Sequence, residues 1–359
     1  MRIATYNLNN LFERPRVLEL EGFSAEAKPI LKAYYWLITA IEKARYSESD
    51  KKQMLDYIKL YVEPKKGRKQ YIIINQVKGK LYSNYRGTLS IKANGRDEWL
   101  GWIDLVKKEV NEVATQNTAR VVEAVRADLL CCVEVENRLA LQNFNKYLLK
   151  ERYAYAMLID GNDERGIDVG IYSQYPIVNI ESHIFDTYQD DRGVSQEVFS
   201  RDCAVYTIEY NQQLIHILCN HFKSQGYGSK EGNDKKRKRQ AMRVREIIEE
   251  KGFDLRRDFV IVAGDLNDSP ENDPLQPLLT MPHLVNSVTL LNEENTGTYH
   301  GSRKQLDYLL ISQALADRYV RGGIERRGMC SVRGEKFDTV TSEVNQASDH
   351  AAVWAEFSI

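Results

Sequence analysis

Hydrophobic residues fall along this chain mostly in short, uninterrupted runs. Residues 129–133 (Leu-Leu-Cys-Cys-Val) and 259–263 (Phe-Val-Ile-Val-Ala) are apolar at every position, the pattern of strands covered on both faces. Residues 2–8, with Ile3, Ala4 and Leu8 apolar, read as a further short strand. So do 155–159, 168–172, 204–208, 214–219, 306–311 and 352–357. Apolar positions three and four apart predict helices over 33–41, 53–62, 110–125 and 138–149, and 235–250 reads as a strongly charged helix. The strands outnumber the helices and do not alternate strictly with them. That argues against a doubly wound sheet and for an α+β fold, a mostly β core with flanking helices.

Residues 16–110 have a different texture. The helices there are rich in tyrosine, a basic run at 65–69 reads as a turn, and 71–74 as a strand. Short polar and apolar stretches around Gly79, Gly87 and Gly95 suggest hairpins. There is no internal repeat and no low-complexity tract.

Charge changes the picture little at this level. The 50 lysines and arginines almost balance 51 aspartates and glutamates, so any anionic partner must be met by a local basic patch. The N-terminus reads directly into a strand without a signal-type apolar region, and no apolar run reaches membrane-spanning length. Cys131, Cys132, Cys203, Cys219 and Cys330 are odd in number and lack zinc-site spacing. Free thiols fit best, and with them a cytoplasmic location. Nothing in the sequence calls for an obligate protein partner.

The candidate chemistry lies where strands stop. Residues 259–263 run into Gly264, Asp265 and Asn267; 2–8 contains Asn7; 129–133 ends at Glu134; 214–219 delivers Asn220 and His221; and Asp349-His350 precedes the last strand. Each has a plain alternative. Asn7 and Asn267 are turn formers, Glu134 could pair with Arg138, and His221 could be a satisfied core histidine. Asp307, between Leu306 and Tyr308 on a strand, needs a buried partner, and an imidazole would satisfy it. Oxygen ligands such as Asn7, Glu134 and Asp349 suit a hard divalent ion, Mg²⁺ above all, with Mn²⁺ as the alternative.

In fixed order, Ala4-Thr-Tyr-Asn7, Asp128 to Glu134, Gly166 to Ser173, Asn220-His221-Phe-Lys-Ser224, Gly264-Asp265-Leu-Asn267, Gln305-Leu-Asp307 and Ser348-Asp349-His350 form a specific set. With them the chain resembles the endonuclease/exonuclease/phosphatase superfamily, which includes deoxyribonuclease I and exonuclease III-type enzymes. The resemblance implies a four-layer α/β/β/α sandwich of two packed mixed sheets with the site at one end. It implies one catalytic domain over 1–359, with a family-atypical insertion at about 16–110 that is expected to shape substrate access. It also implies roles: Glu134 as principal metal ligand with Asn7 and Asp349, Asp265 activating the attacking water, and Asn267 positioning it. His350, held by Asp307, would stabilise the phosphorane or protonate the leaving oxygen, and His221 marks the deoxyribonuclease and phosphatase branches.

The expected reaction is Mg²⁺-dependent hydrolysis of a phosphodiester by in-line attack of water, most simply on nucleic acid. A phosphomonoesterase, a phospholipase C-like phosphatase or an inactive binding module on the same fold are the alternatives. The run Lys235 to Arg239 is a phosphate-contact surface or a solvated helix face, and Arg201, Lys223 and Arg239 are the candidate substrate contacts. Arg165 is a further cation that could face the site or form an internal ion pair.

Overall fold

The computed structural model describes residues 1–11, 17, 27–63, 69–106, 111–163, 166–190, 192–226 and 228–359. Arg165 and residues 65–68 of the basic run lie outside them. Two compact units partition the chain: Met1–Phe12 with Val110–Ile359, and Glu13–Glu109.

The larger unit begins with β1 (Arg2–Leu11). The chain then enters the smaller unit, whose helices are α1 (Ala27–Ile41) and α2 (Glu48–Tyr57) and whose strands are β2 (Ile72–Lys78), β3 (Tyr82–Tyr85), β4 (Thr88–Ile91) and β5 (Leu100–Leu105). Ser47 and Asp50 close a capping box at the start of α2, satisfying N–H groups that the first helical turn leaves open. β2 pairs antiparallel with β5, and β3 with β4 around Arg86-Gly87, both at positive φ, the conformation a two-residue hairpin turn demands. Leu37, Met54, Ile58, Ile72, Trp99 and Ile103 are among the residues of a separate core. Gly95, expected in a hairpin, lies instead against the Ala44 carbonyl, which a Cβ would approach to 1.9 Å.

Back in the larger unit, α3 (Glu112–Val125), β6 (Leu129–Val135), α4 (Arg138–Tyr147), β7 (Tyr155–Leu158) and β8 (Asp168–Ser173) follow in order. Next come β9 (Ile177–Glu181), the small pair β10 (Thr187–Gln189) and β11 (Ser195–Glu197), β12 (Ala204–Tyr210), β13 (Gln213–His221) and α5 (Lys230–Glu250). β14 (Phe259–Asp265), β15 (Leu284–Asn286), β16 (Asp307–Ser312), β17 (Tyr319–Glu325) and β18 (Ala352–Phe357) follow, with short helical turns at 273–279, 287–290 and 313–316 between them.

Two six-stranded sheets result, ordered β17-β18-β1-β6-β8-β7 and β15-β16-β14-β13-β12-β9. Both are mixed, with one parallel pair each, β1 with β6 and β13 with β14. Alternate residues explain why the central strands are apolar throughout. Ile3, Leu129, Cys131 and Val133 meet Ile217, Cys219, Ile261 and Ala263 between the sheets. Their neighbours Ala4, Tyr6, Leu130 and Cys132 pack outward on Val121, Val122 and Val125 of α3 and Leu141 and Phe144 of α4. On the far side Leu218, Val260 and Val262 pack on Ala241, Val244 and Ile248 of α5. This is an α+β sandwich of helix, sheet, sheet and helix.

α5 begins five residues before the expected 235, where Ser229 accepts the Gly232 N–H. β9, β15 and β17 are strands the sequence pattern passes over. All three are sheet edges, and partial exposure removes the uninterrupted apolar run that marks the others. All five cysteines are free thiols. No helix among the described residues is long and apolar enough to cross a membrane.

Candidate active site

Strand register assembles the site before any side chain is considered. Along the parallel pair β1–β6, Asn7 lies opposite Val133, so Glu134 is the next residue on that sheet. In the other sheet His221 lies opposite Asp265, and Asp265 opposite Asp307. The Asn7 amide then bridges the sheets, Nδ2 donating to Asp265 Oδ2 at 3.2 Å.

The backbone at these strand ends is unusual. Asn9, Glu134 and Asn267 all adopt positive φ, 43°, 60° and 55°, a conformation that costs a side-chain-bearing residue energy and concentrates at functional sites. Gly264, at φ 138°, is fixed by close approach, since a Cβ would stand 1.9 Å from the Asn220 carbonyl.

Asp307 finds the imidazole that its burial demands: His350 Nδ1 and Asp307 Oδ2 are 2.9 Å apart. The carboxylate therefore fixes the tautomer and aims Nε2 at Asp265, 3.7 Å away. Asp265 Oδ1 accepts the Asn267 N–H at 2.9 Å, and Asn267 Nδ2 donates to the Phe222 carbonyl. His221 Nε2 stands 3.8 Å from Asp265 and 4.0 Å from Glu134 Oε1. The buried Arg201 guanidinium lies against the same ring, Nη2 2.9 Å from Nε2. Asp349 Oδ1 accepts from Asn9 Nδ2 at 2.6 Å, and its Oδ2 is 3.7 Å from His300 Nε2.

Burial pushes the Asp265 carboxyl well above the usual range; His350 opposes that shift, and Asp307 and Glu134 add to it. For His350, burial favours the neutral ring, but Asp307 and Asp265 outweigh it and raise its pKa well above the usual value. Both shifts favour the protonated forms.

Ligand atoms of Asp265, Asp307 and His350 lie within 4.8 Å of one another. Within this trio Nδ1 of His350 is engaged with Asp307 and Nε2 faces Asp265. The oxygen set Asn7, Glu134 and Asp349 fits a hard cation better. The Tyr299 phenol, raised first by burial, also feels Asp349, Asp265 and Glu134 together, so three carboxylates converge on one region whose charge a divalent ion would offset.

Lys223 Nζ donates to the Gly226 carbonyl at 2.8 Å, and the Arg239 guanidinium lies 4.9 Å from the Tyr188 ring centre. The charged run on α5 is largely consumed by ion pairs: Lys235 with Glu231, buried Arg237 with Asp234 and Asp268, and Lys238 with Asp273. The sequence pattern does not single out Asn9 or Tyr299, and it reads His300 as an ordinary structural histidine. Asn9 and His300 reach Asp349, and the Tyr299 ring centre is 4.8 Å from that of His350. They sit at a bent strand end and in a loop, where no periodicity signals them.

Asp168 accepts the Gly161 N–H at 2.8 Å, and burial raises its carboxyl to about 7. A carboxyl raised in the folded state stabilises the fold below its unfolded value and loses that contribution as pH climbs through about 7. Asp168→Asn should therefore flatten the decline in thermal midpoint between about pH 4 and 7, checked by melting curves across that range. An unchanged slope would remove Asp168 as its source.

Comparison with known proteins gives the geometry a family. No curated protein matches the chain in sequence. Among solved structures, a mannosyl-6-phosphatase of Bacteroides thetaiotaomicron is 15% identical over 68% of this chain and 91% of its own, with a TM-score of 0.50. The beta toxin of Staphylococcus aureus is 17% identical over 68% and 92%, with a TM-score of 0.49. An endonuclease/exonuclease/phosphatase from Bacteroides vulgatus is 14% identical over 69% and 91%, at 0.49. Such identities speak to the fold alone. The model of the Endonuclease/Exonuclease/phosphatase family matches residues 94–324, more than half of the chain, and the chain belongs to that family.

Proposed function

We propose that the protein is a Mg²⁺-dependent phosphodiesterase, specifically a nuclease, whose catalytic domain is the larger unit. The observation that carries this reading is Asp265: a buried carboxylate with a raised pKa, 3.7 Å from an imidazole that Asp307 orients. A group poised near neutral pH is what general-base catalysis requires.

Asn7, Glu134 and Asp349 would hold the metal, which when bound supplies charge neutralisation at the phosphoryl oxygens. Asp265 takes the proton of the attacking water, and Asn267 keeps the base and the water aligned. His350 donates to a phosphoryl or leaving oxygen, with Asp307 stabilising the imidazolium. His221, with the Arg201 guanidinium against its ring, borders the same site, and the guanidinium places positive charge beside the phosphate.

Calorimetry tests the metal assignment. Mg²⁺ should bind the unaltered chain, and Glu134→Gln should abolish that heat while the fold persists. Little binding by the unaltered chain would instead mark a catalytically inactive scaffold; undiminished binding by the variant would remove Glu134 from the ligand set.

A further inference from the structure

The near-neutral total charge conceals a segregation. Residues 13–109, the smaller unit, carry 20 lysines and arginines against 13 aspartates and glutamates, while the whole chain carries 50 against 51. The basic excess of this unit is therefore balanced by an acidic excess in the larger one, which holds the carboxylate-lined site.

Part of that basic unit presents aromatic rings to solvent. On β5, Trp102 is 52% exposed and Leu100 56%, while Gly101 and Ile103 between and beside them are buried. Lys78 of β2 lies opposite Leu100 in the ladder. Exposed Lys80 sits in the turn leading to the β3–β4 hairpin, which is tied to β2 by Tyr82 N–H donating to Gln76 Oε1 at 3.0 Å. At the hairpin tip Tyr85 is 69% exposed, with the Arg86 guanidinium 5.3 Å from its ring centre. Exposed rings and cations thus recur between Lys78 and Trp102.

We infer that this surface of the smaller unit binds single-stranded nucleic acid, Trp102 and Tyr85 stacking on bases while Lys78, Lys80 and Arg86 meet phosphates. Stacking platforms interleaved with cations are how sequence-tolerant strand binding is achieved. The Trp102 indole N–H donates to Asp104 Oδ2 at 2.7 Å, as does Asn75 Nδ2. This holds the ring in place, so little freedom is lost on stacking. The carboxylate and carboxamide beside the ring would be costly to bury in a lipid interface but can accept and donate at base edges. The inference names the substrate class of the proposed nuclease and rests on that reading for its biological use, though binding itself does not require catalysis.

The test uses the full chain. Binding of a fluorescent single-stranded oligonucleotide, measured by anisotropy in EDTA, should weaken roughly tenfold or more in Trp102→Ala and Tyr85→Ala. Trp102→Phe should recover much of it, and Lys78→Glu should weaken binding and flatten its salt dependence. The same variants should hydrolyse a small chromogenic phosphodiester with unchanged kcat and KM. Affinity unchanged in all the variants would overturn the inference, as would Trp102-dependent binding to anionic phospholipid vesicles without binding to the oligonucleotide. If the oligonucleotide binds through Trp102 yet the unaltered chain with Mg²⁺ never cleaves it, the nuclease reading fails and this surface stands. If it is cleaved and the variants match the unaltered chain in affinity and KM, the surface fails and the nuclease reading stands.

Discussion

Asp265→Asn should leave a folded protein whose phosphodiester turnover is lower by roughly a hundredfold or more, the usual scale of a lost general base. The substitution is close to isosteric. A carboxamide oxygen in the place of Asp265 Oδ1 would still accept the Asn267 N–H, while the new amide nitrogen would face the Asn7 Nδ2 donor and lose that one contact. What disappears is the capacity to receive a proton. The native carboxylate is buried and its ionised form is disfavoured, which offsets the lost Asn7 contact, so the thermal midpoint should change little. Measured together, kcat and the melting curve separate chemistry from folding; activity retained in a well-folded variant would exclude Asp265 from the mechanism.

The second large effect concerns the pair His350 and Asp307. His350→Ala removes the donor, and Asp307→Ala removes the group that fixes its tautomer and stabilises its charge through the 2.9 Å contact. Each should cost roughly a hundredfold or more in kcat. The double variant should be little worse than the poorer single one, because residues acting as a unit are not additive. Losses that multiply would mean that the two act independently. His350→Ala should also lower stability, since it strands a fully buried Asp307 carboxylate without its cation.

Much of this arrangement is legible in the residues because strand ends announce themselves. The apolar run before Asp265 locates a central strand, and the abrupt change to Gly264, Asp265 and Asn267 locates its end. Asp307 is legible for a different reason: a carboxylate between two core residues must have a partner, and His350 is that partner. The α+β class follows from the same runs, since strands buried on both faces need helices outside two packed sheets.

The parts that escape the sequence are those fixed by tertiary context. Arg237, in the middle of a run that reads as a solvated face, is buried against Asp268 at 3.0 Å; nothing local distinguishes it from Lys238. Lys223 donates to the Gly226 carbonyl and Arg239 lies by the Tyr188 ring, contacts that sequence spacing does not announce. Asn9 reaches Asp349 across 340 residues of chain, a contact that only the packing of β1 beside the last loop creates. The edge strands β9, β15 and β17 lack uninterrupted apolar runs because partial exposure leaves them polar positions.

The most direct test of the central claim is Mg²⁺-dependent hydrolysis by the purified protein, with labelled single-stranded DNA, duplex DNA, RNA and a generic phosphodiester as substrates and Asp265→Asn as the blank. Cleavage of a nucleic acid that needs the metal and vanishes in the variant is the expected result. Hydrolysis confined to phosphomonoesters or lipid head groups, with every nucleic acid intact, would contradict it.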